Sequence, residues 1–388
     1  MRLSQTGSFH VRRFALATPI AVLASLVMAT SALAAPPSWT TPQTVRSTND
    51  PRLSDADFQR RNVAIAWDEP DTPREVGIRT STNAGSSFGP ISWFDGARNA
   101  AVDVCGSEVH AAMEMAAPGT WLIQYAAGGI AGGGFSTVTI APSIDDQSDP
   151  DVACTRGRVF VSWLEEDGPG HSMYVAHALR SGGPFSAPIF LGFDDEAYFG
   201  SALAVAGVRN MAYAVHQEWD GDLYLTRWSI GAGPGFAVTP LGTQSIGPGV
   251  PGNEASDAVI AASGSKVAVA WFKCGGLFAR VSNDHGATWG PARKLIDHVA
   301  CEGDFGTSPA SIALRGNKIA LTYLGFGIPN VSFVGLIRTS SDFAAFSDVT
   351  IAENHNDHRV GYVRAGGTWR LAAAFETRGD RIRFRRQT

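Results

Sequence analysis

One short pattern returns seven times along this chain. The segments Asn62-Val-Ala-Ile-Ala-Trp67, Glu108-Val-His-Ala-Ala-Met113, Arg158-Val-Phe-Val-Ser-Trp163, Asn210-Met-Ala-Tyr-Ala-Val215, Lys266-Val-Ala-Val-Ala-Trp271, Lys318-Ile-Ala-Leu-Thr-Tyr323 and Arg370-Leu-Ala-Ala-Ala-Phe375 all carry it. They end at positions 67, 113, 163, 215, 271, 323 and 375, so successive copies lie 46 to 56 residues apart. Self-similarity at such a period marks a chain made of one supersecondary unit that buries its apolar faces only against its neighbours. Each segment is apolar at most positions, as expected of a strand covered on both sides.

The rest of the unit is also strand-like. A strand precedes the pattern, as in Asp151-Val-Ala-Cys154; a glycine-containing hairpin such as Arg156-Gly157 joins them; and a third strand such as Gly77-Ile-Arg-Thr-Ser81 follows. Glycine (43) and proline (21) are abundant, and no stretch sustains a 3.6-residue apolar period, so helical repeats are excluded. The fold class is therefore all-β: a seven-bladed β-propeller of four-stranded antiparallel blades. The final unit stops at its third strand, Arg381-Ile-Arg-Phe-Arg385, while Trp39-Thr-Thr-Pro-Gln-Thr-Val45 near the start has fourth-strand character. The N-terminal strand is expected to pair into the last blade and close the ring, leaving no open sheet edge.

Several third strands lead into one kind of turn. Ser282-Asn-Asp284-His-Gly286-Ala-Thr288-Trp289 is its full form and Ser81-Thr-Asn83-Ala-Gly85-Ser-Ser87-Phe88 a conservative variant. Asp or Asn accepts backbone hydrogen bonds, glycine takes a positive φ, and the aromatic packs beneath. These turns resemble the Asp-box of the BNR, sialidase-like β-propeller superfamily. The resemblance implies that the boxes are structural and lie on the face opposite the ligand site. It also implies an arginine at the start of the first blade, where Arg52-Leu53-Ser54 stands with Ser54 in place of the family's proline, an acid after the second strand, and a Tyr–Glu nucleophile pair. Sialidases usually have six blades, against seven units here.

Residues 1–34 read as a secretory signal: Arg12 and Arg13 precede an apolar stretch from Phe14 to Leu33, and Ala32-Leu33-Ala34 offers a small-residue cleavage site. Residues 35–388 are then a single exported propeller domain. Basic and acidic residues number 31 and 36; without the three arginines of the leader the balance is 28 to 36, or about eight net negative charges. That excludes a general nucleic-acid partner, and no later segment is apolar enough to span a bilayer. Four cysteines in an exported chain, none in C-x-x-C spacing, point to disulfides, and the repeat register favours Cys105 with Cys154 and Cys274 with Cys301.

In a propeller the loops before each first strand and those after each second strand share one face around the axis. The first set contains Ser54-Asp55-Ala56, Ser148-Asp149-Pro150, Ser256-Asp257-Ala258 and Asn356-Asp357-His358, which either bind a cation or sugar hydroxyls or simply cap turns. The second set holds Asp68, Glu69, Glu114, Glu165, Glu166, Glu218, Asp220 and Glu376. Carboxylates crowded in one cleft can serve as general acid and base, and solvated loop acids are equally expected in an acidic protein. The loop His216-Gln-Glu-Trp219-Asp220 offers a tryptophan beside polar groups, the combination that stacks on a pyranose ring.

The sequence supports three functional readings. The first is recognition of a glycan on the axial face by a secreted monomer, with Glu69, His216, Trp219 and Asp220 as substrate-binding residues. The second is an exo-glycosidase of sialidase type, in which the resemblance makes Arg52 and Arg359 anion anchors, Asp68 the acid/base, and Tyr362 with Glu218 the nucleophile pair. The third is a non-catalytic extracellular scaffold. None calls for a cofactor or metal; the histidines are too scattered to define a zinc site.

Overall fold

Apolar alternation along the repeats produces strands throughout the computed structural model, which describes residues 38–388 apart from 49–50, 71–73, 168–169, 195–202, 218–221, 234, 248–254, 274–275, 298–307, 328–330, 340–341, 344, 354–357 and 378–380. The described residues form twenty-eight strands and no helix. Five sheets contain four antiparallel strands each, in chain order, and a sixth contains eight. The eight-stranded sheet consists of two antiparallel halves. One half runs from Arg52–Arg60 outward to Ile91–Asp95, and the other from His358–Ala365 outward to Gln43–Ser47. Only two parallel pairs join them, Gln59 with Tyr362 and Arg60 with Val363. The outermost strand of the second half comes from the N-terminal end, with Gln43 opposite Phe384 and Ser47 opposite Arg381.

The first strands of the successive groups, Arg52–Arg60, Ala97–Cys105, Gln147–Cys154, Leu203–Val208, Ala255–Ser263, Ser308–Arg315 and His358–Ala365, contact one another in chain order, and the last returns to the first. They surround one channel, giving a β-propeller architecture. Apolar clusters fill the gaps between consecutive groups. Val63, Ile65 and Trp67 pack toward Ala372, Ala374 and Phe384, whereas Ala64 and Ala66 face Val102, Val109 and Met113 of the following sheet. Lys266–Lys273 repeats this arrangement, with Val267, Val269 and Trp271 on one side and Ala268 and Ala270 on the other. A bulky face against an alanine face lets adjacent sheets approach closely while filling the space at crystal-like density.

The fourth copy breaks the register read from the sequence. Its two-residue hairpin sets Met211 opposite Val208, where the first copy has Asn62 opposite Gln59. His216, rather than Val215, therefore occupies the place of Trp67, and Tyr213 and Val215 turn to the following sheet. A slip of one residue exchanges the two faces of a strand. The disulfide Cys105–Cys154 ties the ends of two neighbouring first strands, with Cα atoms 6.3 Å apart, as the repeat register indicated. Cys274 and Cys301 lie outside the described residues.

The two best-formed turns after third strands share one geometry. The Ser282 hydroxyl accepts the N–H of Gly286 at 2.8 Å, and Asp284 accepts that of Thr288 at 2.8 Å; Ser81 and Asn83 do the same for Gly85 and Ser87 at 3.0 and 2.9 Å. Thr288 holds the Asp284 carboxyl down at about 2. Both turns bond to hairpins that join first and second strands, through Ala84 N–H to Arg61 and His285 N–H to Ser265. They therefore lie at the far end of the channel from Arg52.

Val45, from the N-terminal strand, is 1% exposed and packs with Ile382 and Phe384. Val45→Ala is expected to cost about 2 kcal/mol in urea unfolding, while Val138→Ala, on a solvent-facing strand, stays within about 0.5 kcal/mol. Equal effects would show that the N-terminal strand does not hold the last sheet.

Candidate functional site

The first strand of each four-stranded sheet is an edge facing the channel, and its outward N–H groups have no strand to bond; in the eight-stranded sheet the two first strands meet over two residue pairs only. Side chains of the preceding first strand supply the acceptors. Asp55 accepts Val102 N–H at 2.8 Å, Asp57 accepts Val104 at 2.9 Å, and Gln59 accepts Gly106 at 2.6 Å. Asp103 takes Cys154 N–H at 2.6 Å and Asp151 takes Val205 at 2.8 Å. On the other side of the ring hydroxyls do this work, Ser263 for Gly316 and Ser311 for Val360. The channel encloses about 1640 Å³ and is acidic along the first three groups.

Three of these carboxyls, Asp57, Asp103 and Asp151, are hard to ionise. Burial, with the charge of Asp57, raises Asp103 well above the carboxylate range, and burial raises Asp57 too; the two side chains hydrogen bond to each other. Asp151 is pushed up to about 7, first by burial and then by the charge of Asp55. Asp55 has a counterion: Arg359 donates to it at 3.1 Å and to the Ser54 carbonyl at 2.6 Å.

A second set of carboxylates builds the mouth near Arg52. At the start of each of the first three first strands the pairing slips, between Leu53 and Asp55, Arg98 and Ala101, and Ser148 and Asp151. Such bulges leave a residue unpaired. In the second and third groups it is Asn99 and Asp149, both in the left-handed region at φ 48 and 47. The acid after the preceding second strand captures each of these N–H groups: Asp68 accepts Asn99 at 3.0 Å, and Glu114 accepts Asp149 at 3.1 Å. Glu376 accepts the N–H of Leu53, the residue just before the slip in the first group, at 3.2 Å. Asp68 also accepts the Ser54 hydroxyl at 2.7 Å. Glu114 is wholly buried, accepts the Asn99 amide at 2.7 Å and is bonded by Arg98, whose guanidinium lies over Trp121. Burial and then Glu114 raise the carboxyls of both Asp68 and Asp149; the Asn99 and Ser54 hydrogen bonds oppose this at Asp68.

Arg52, Asn99 and Asp149 are exposed at this mouth, with Ser54 and Asp68 half-buried between them. Of the residues proposed from sequence, Arg52, Asp68, Arg359 and Tyr362 all line the channel. Tyr362 stands three residues beyond Arg359 on one strand, about 10 Å deeper. Glu69 lies outside the lining, bound by Arg46 at 2.6 Å, by Thr48 and by the Trp67 indole at 3.1 Å. It helps anchor the N-terminal strand. His216 is fully buried, bonded to Thr226 at 3.0 Å and held down at about 4 by burial, because the register slip places it in the core. Glu218, Trp219 and Asp220 lie outside the described residues, as do Asn356 and Asp357. Asp55 and Asp149, which look equivalent in sequence, are not: the register matches Asp55 with Asp151, opposite Ala66 and Ser162. Asn99 was missed by sequence reasoning, although it precedes Asp149 by the same fifty positions that separate Met113 from Trp163.

No family model matches the chain, and comparison with curated protein sequences finds no match. Among solved structures it is similar to the β-propeller domain of the Trilobed protease from Pyrococcus furiosus, at 10% identity and a TM-score of 0.49, covering 86% of this chain and 95% of that one. It is also similar to phage phi92 endosialidase, at 9% identity and 0.48, covering 90% and 68%. For Trypanosoma rangeli sialidase the values are 11% and 0.43, covering 76% of this chain and 56% of that one, so the chain spans little more than half of that enzyme. At such scores nothing about this chain's activity follows from the likeness.

Asp151 gives a pH test. Between its ordinary value of 3.8 and about 7 the folded state holds a proton that the unfolded state lacks, so stability falls as pH rises through that window. Each unit of displacement corresponds to about 1.4 kcal/mol. Asp151→Asn keeps an acceptor for Val205 and is expected to flatten the decline in melting temperature from pH 4 to 8, melting higher than wild type at pH 8. A variant that loses stability equally at every pH would refute the buried-proton account.

Proposed function

We propose that this chain is a secreted seven-bladed β-propeller that recognises carbohydrate at the Arg52 mouth of its channel. In this reading the eight-stranded sheet is two blades, the N-terminal strand completes the last of them, the turns at Ser81 and Ser282 are Asp-boxes, and residues 1–34 are a leader removed on export.

One observation carries the binding assignment. Successive first strands present a guanidinium, an amide and a carboxylate (Arg52, Asn99 and Asp149) side by side at the rim of a wide polar channel. Vicinal sugar hydroxyls both donate and accept, and a rim with both kinds of partner can satisfy them. The rim is preorganised, because buried Glu114 and half-buried Asp68 fix the backbone of the two bulges. The left-handed Asn99 and Asp149 fit this view, since sparsely populated backbone conformations cluster at ligand sites.

A second reading, exo-glycosidase activity, draws on Arg52, Asp68, Arg359 and Tyr362 sharing the channel, with the raised Asp68 carboxyl as proton donor. Against it, Arg359 is committed to Asp55.

A glycan array probed with the mature chain is expected to give discrete hits. Arg52→Ala and Asn99→Gly, which respects the left-handed backbone, should each weaken binding about tenfold without unfolding the protein. An array without hits, or binding that ignores both substitutions, would remove the proposal. Fluorogenic sialosides assayed in parallel decide the second reading, which requires turnover that Asp68→Asn abolishes.

A further inference from the structure

The opposite mouth of the channel has a different chemistry. Arg52 and Arg60 stand at the two ends of one nine-residue strand, so the mouths are about 26 Å apart. At the far end three arginines from three neighbouring groups come together by register. Arg60 is paired with Val363, whose chain neighbour is Arg364. Arg364 is opposite Trp369 on the adjoining strand, and the guanidinium of Arg315 lies over the Trp369 ring, 3.0 Å from its centroid. All three arginines and Trp369 line the channel.

Nothing among the described residues neutralises them. Among the described residues none of the three has a carboxylate partner, and the one hydrogen bond that Arg364 donates goes to the Gly367 carbonyl at 3.2 Å. Partial burial, then the charges of Arg364 and Arg60, lower the pKa of Arg315. In an acidic protein whose channel is rich in carboxylates, this convergence of like charge is held against repulsion.

The hairpin that carries Arg60 adds an independent observation. First and second strands are joined by two-residue turns whose first residue has a positive φ in five copies. Gly106, Gly264, Gly316 and Gly366 fill that place at φ 70, 63, 54 and 57, and Arg60 fills it in the first copy at φ 56. A long side chain in the left-handed region costs about 1 kcal/mol that glycine avoids. The repeat has an inexpensive solution at this position, and the first copy departs from it to place a guanidinium at the mouth.

We propose that Arg60, Arg315 and Arg364 form a binding site for a phosphate- or sulfate-type oxyanion at the far mouth of the channel, distinct from the glycan rim. Planar guanidiniums donate paired N–H groups to tetrahedral oxyanions. Stacking on Trp369 fixes Arg315 before the ligand arrives, which lowers the entropy cost of binding.

Calorimetry of the mature chain with inorganic phosphate at constant ionic strength, against a chloride control, tests this. One saturable site is expected. Arg60→Gly should raise Kd at least tenfold while melting at or above the wild-type temperature, and Arg315→Gln with Arg364→Gln should abolish binding. A second arm uses a sulfated disaccharide: binding of both probes assigns the site to an oxyanion group carried on a larger molecule, and binding of phosphate alone assigns it to the free ion. Absence of saturable binding by either probe, or a Kd indifferent to the substitutions, overturns the proposal whatever the glycan array shows.

Discussion

The channel exists because backbone N–H groups on its lining strands have found acceptors other than a neighbouring strand. Five of the first strands are sheet edges and the other two pair over only two positions, and an unbonded N–H buried between sheets would cost about 1–3 kcal/mol. Aspartates 55, 57, 103 and 151, Gln59 and two serines meet that demand across the gaps between groups. Carboxyl acceptors fill one arc of the ring and hydroxyls another, so the requirement that seals the sheets also polarises the channel. Burial then raises the pKa of Asp57 and Asp103, which favours the protonated state in which two facing acids can hydrogen bond to each other.

The Arg52 mouth follows from the same demand at a different level. A bulge frees one N–H at the start of a strand, and the acid that ends the previous second strand takes it. The acids are thereby spent on backbone, and the groups left facing solvent are the bulge side chains themselves. Asp68 and Glu114, acids that look catalytic in the sequence, thus hold the backbone at Asn99 and Asp149. At the far mouth the logic is reversed: Arg60 occupies a strained turn without any backbone need that its side chain satisfies.

Strands and hairpins were legible because alternation and a near-fifty-residue period are local facts. The pairing of Cys105 with Cys154 was legible for the same reason, since both end first strands of adjacent copies. The phase of the fourth copy was not. Met-Ala-Tyr-Ala-Val alternates equally well with either face inward, and only the hairpin between Val208 and Met211 decides that His216 is core. Glu69 was misread for a related reason: its partners Arg46 and Thr48 lie in and just after the N-terminal strand, which is held against the C-terminal strand rather than against the strands that follow it in the chain.

The amino-acid sequence by itself determined that this chain is all-β, repeated, and acidic around one set of loops, because those properties reside in composition and in spacing along a single strand. Tertiary structure alone decided which acids bond to backbone, which bulge residues face solvent, and that Arg60, Arg315 and Arg364 meet. Those outcomes depend on register between strands hundreds of residues apart, where a shift of one position turns a side chain from the channel to the core.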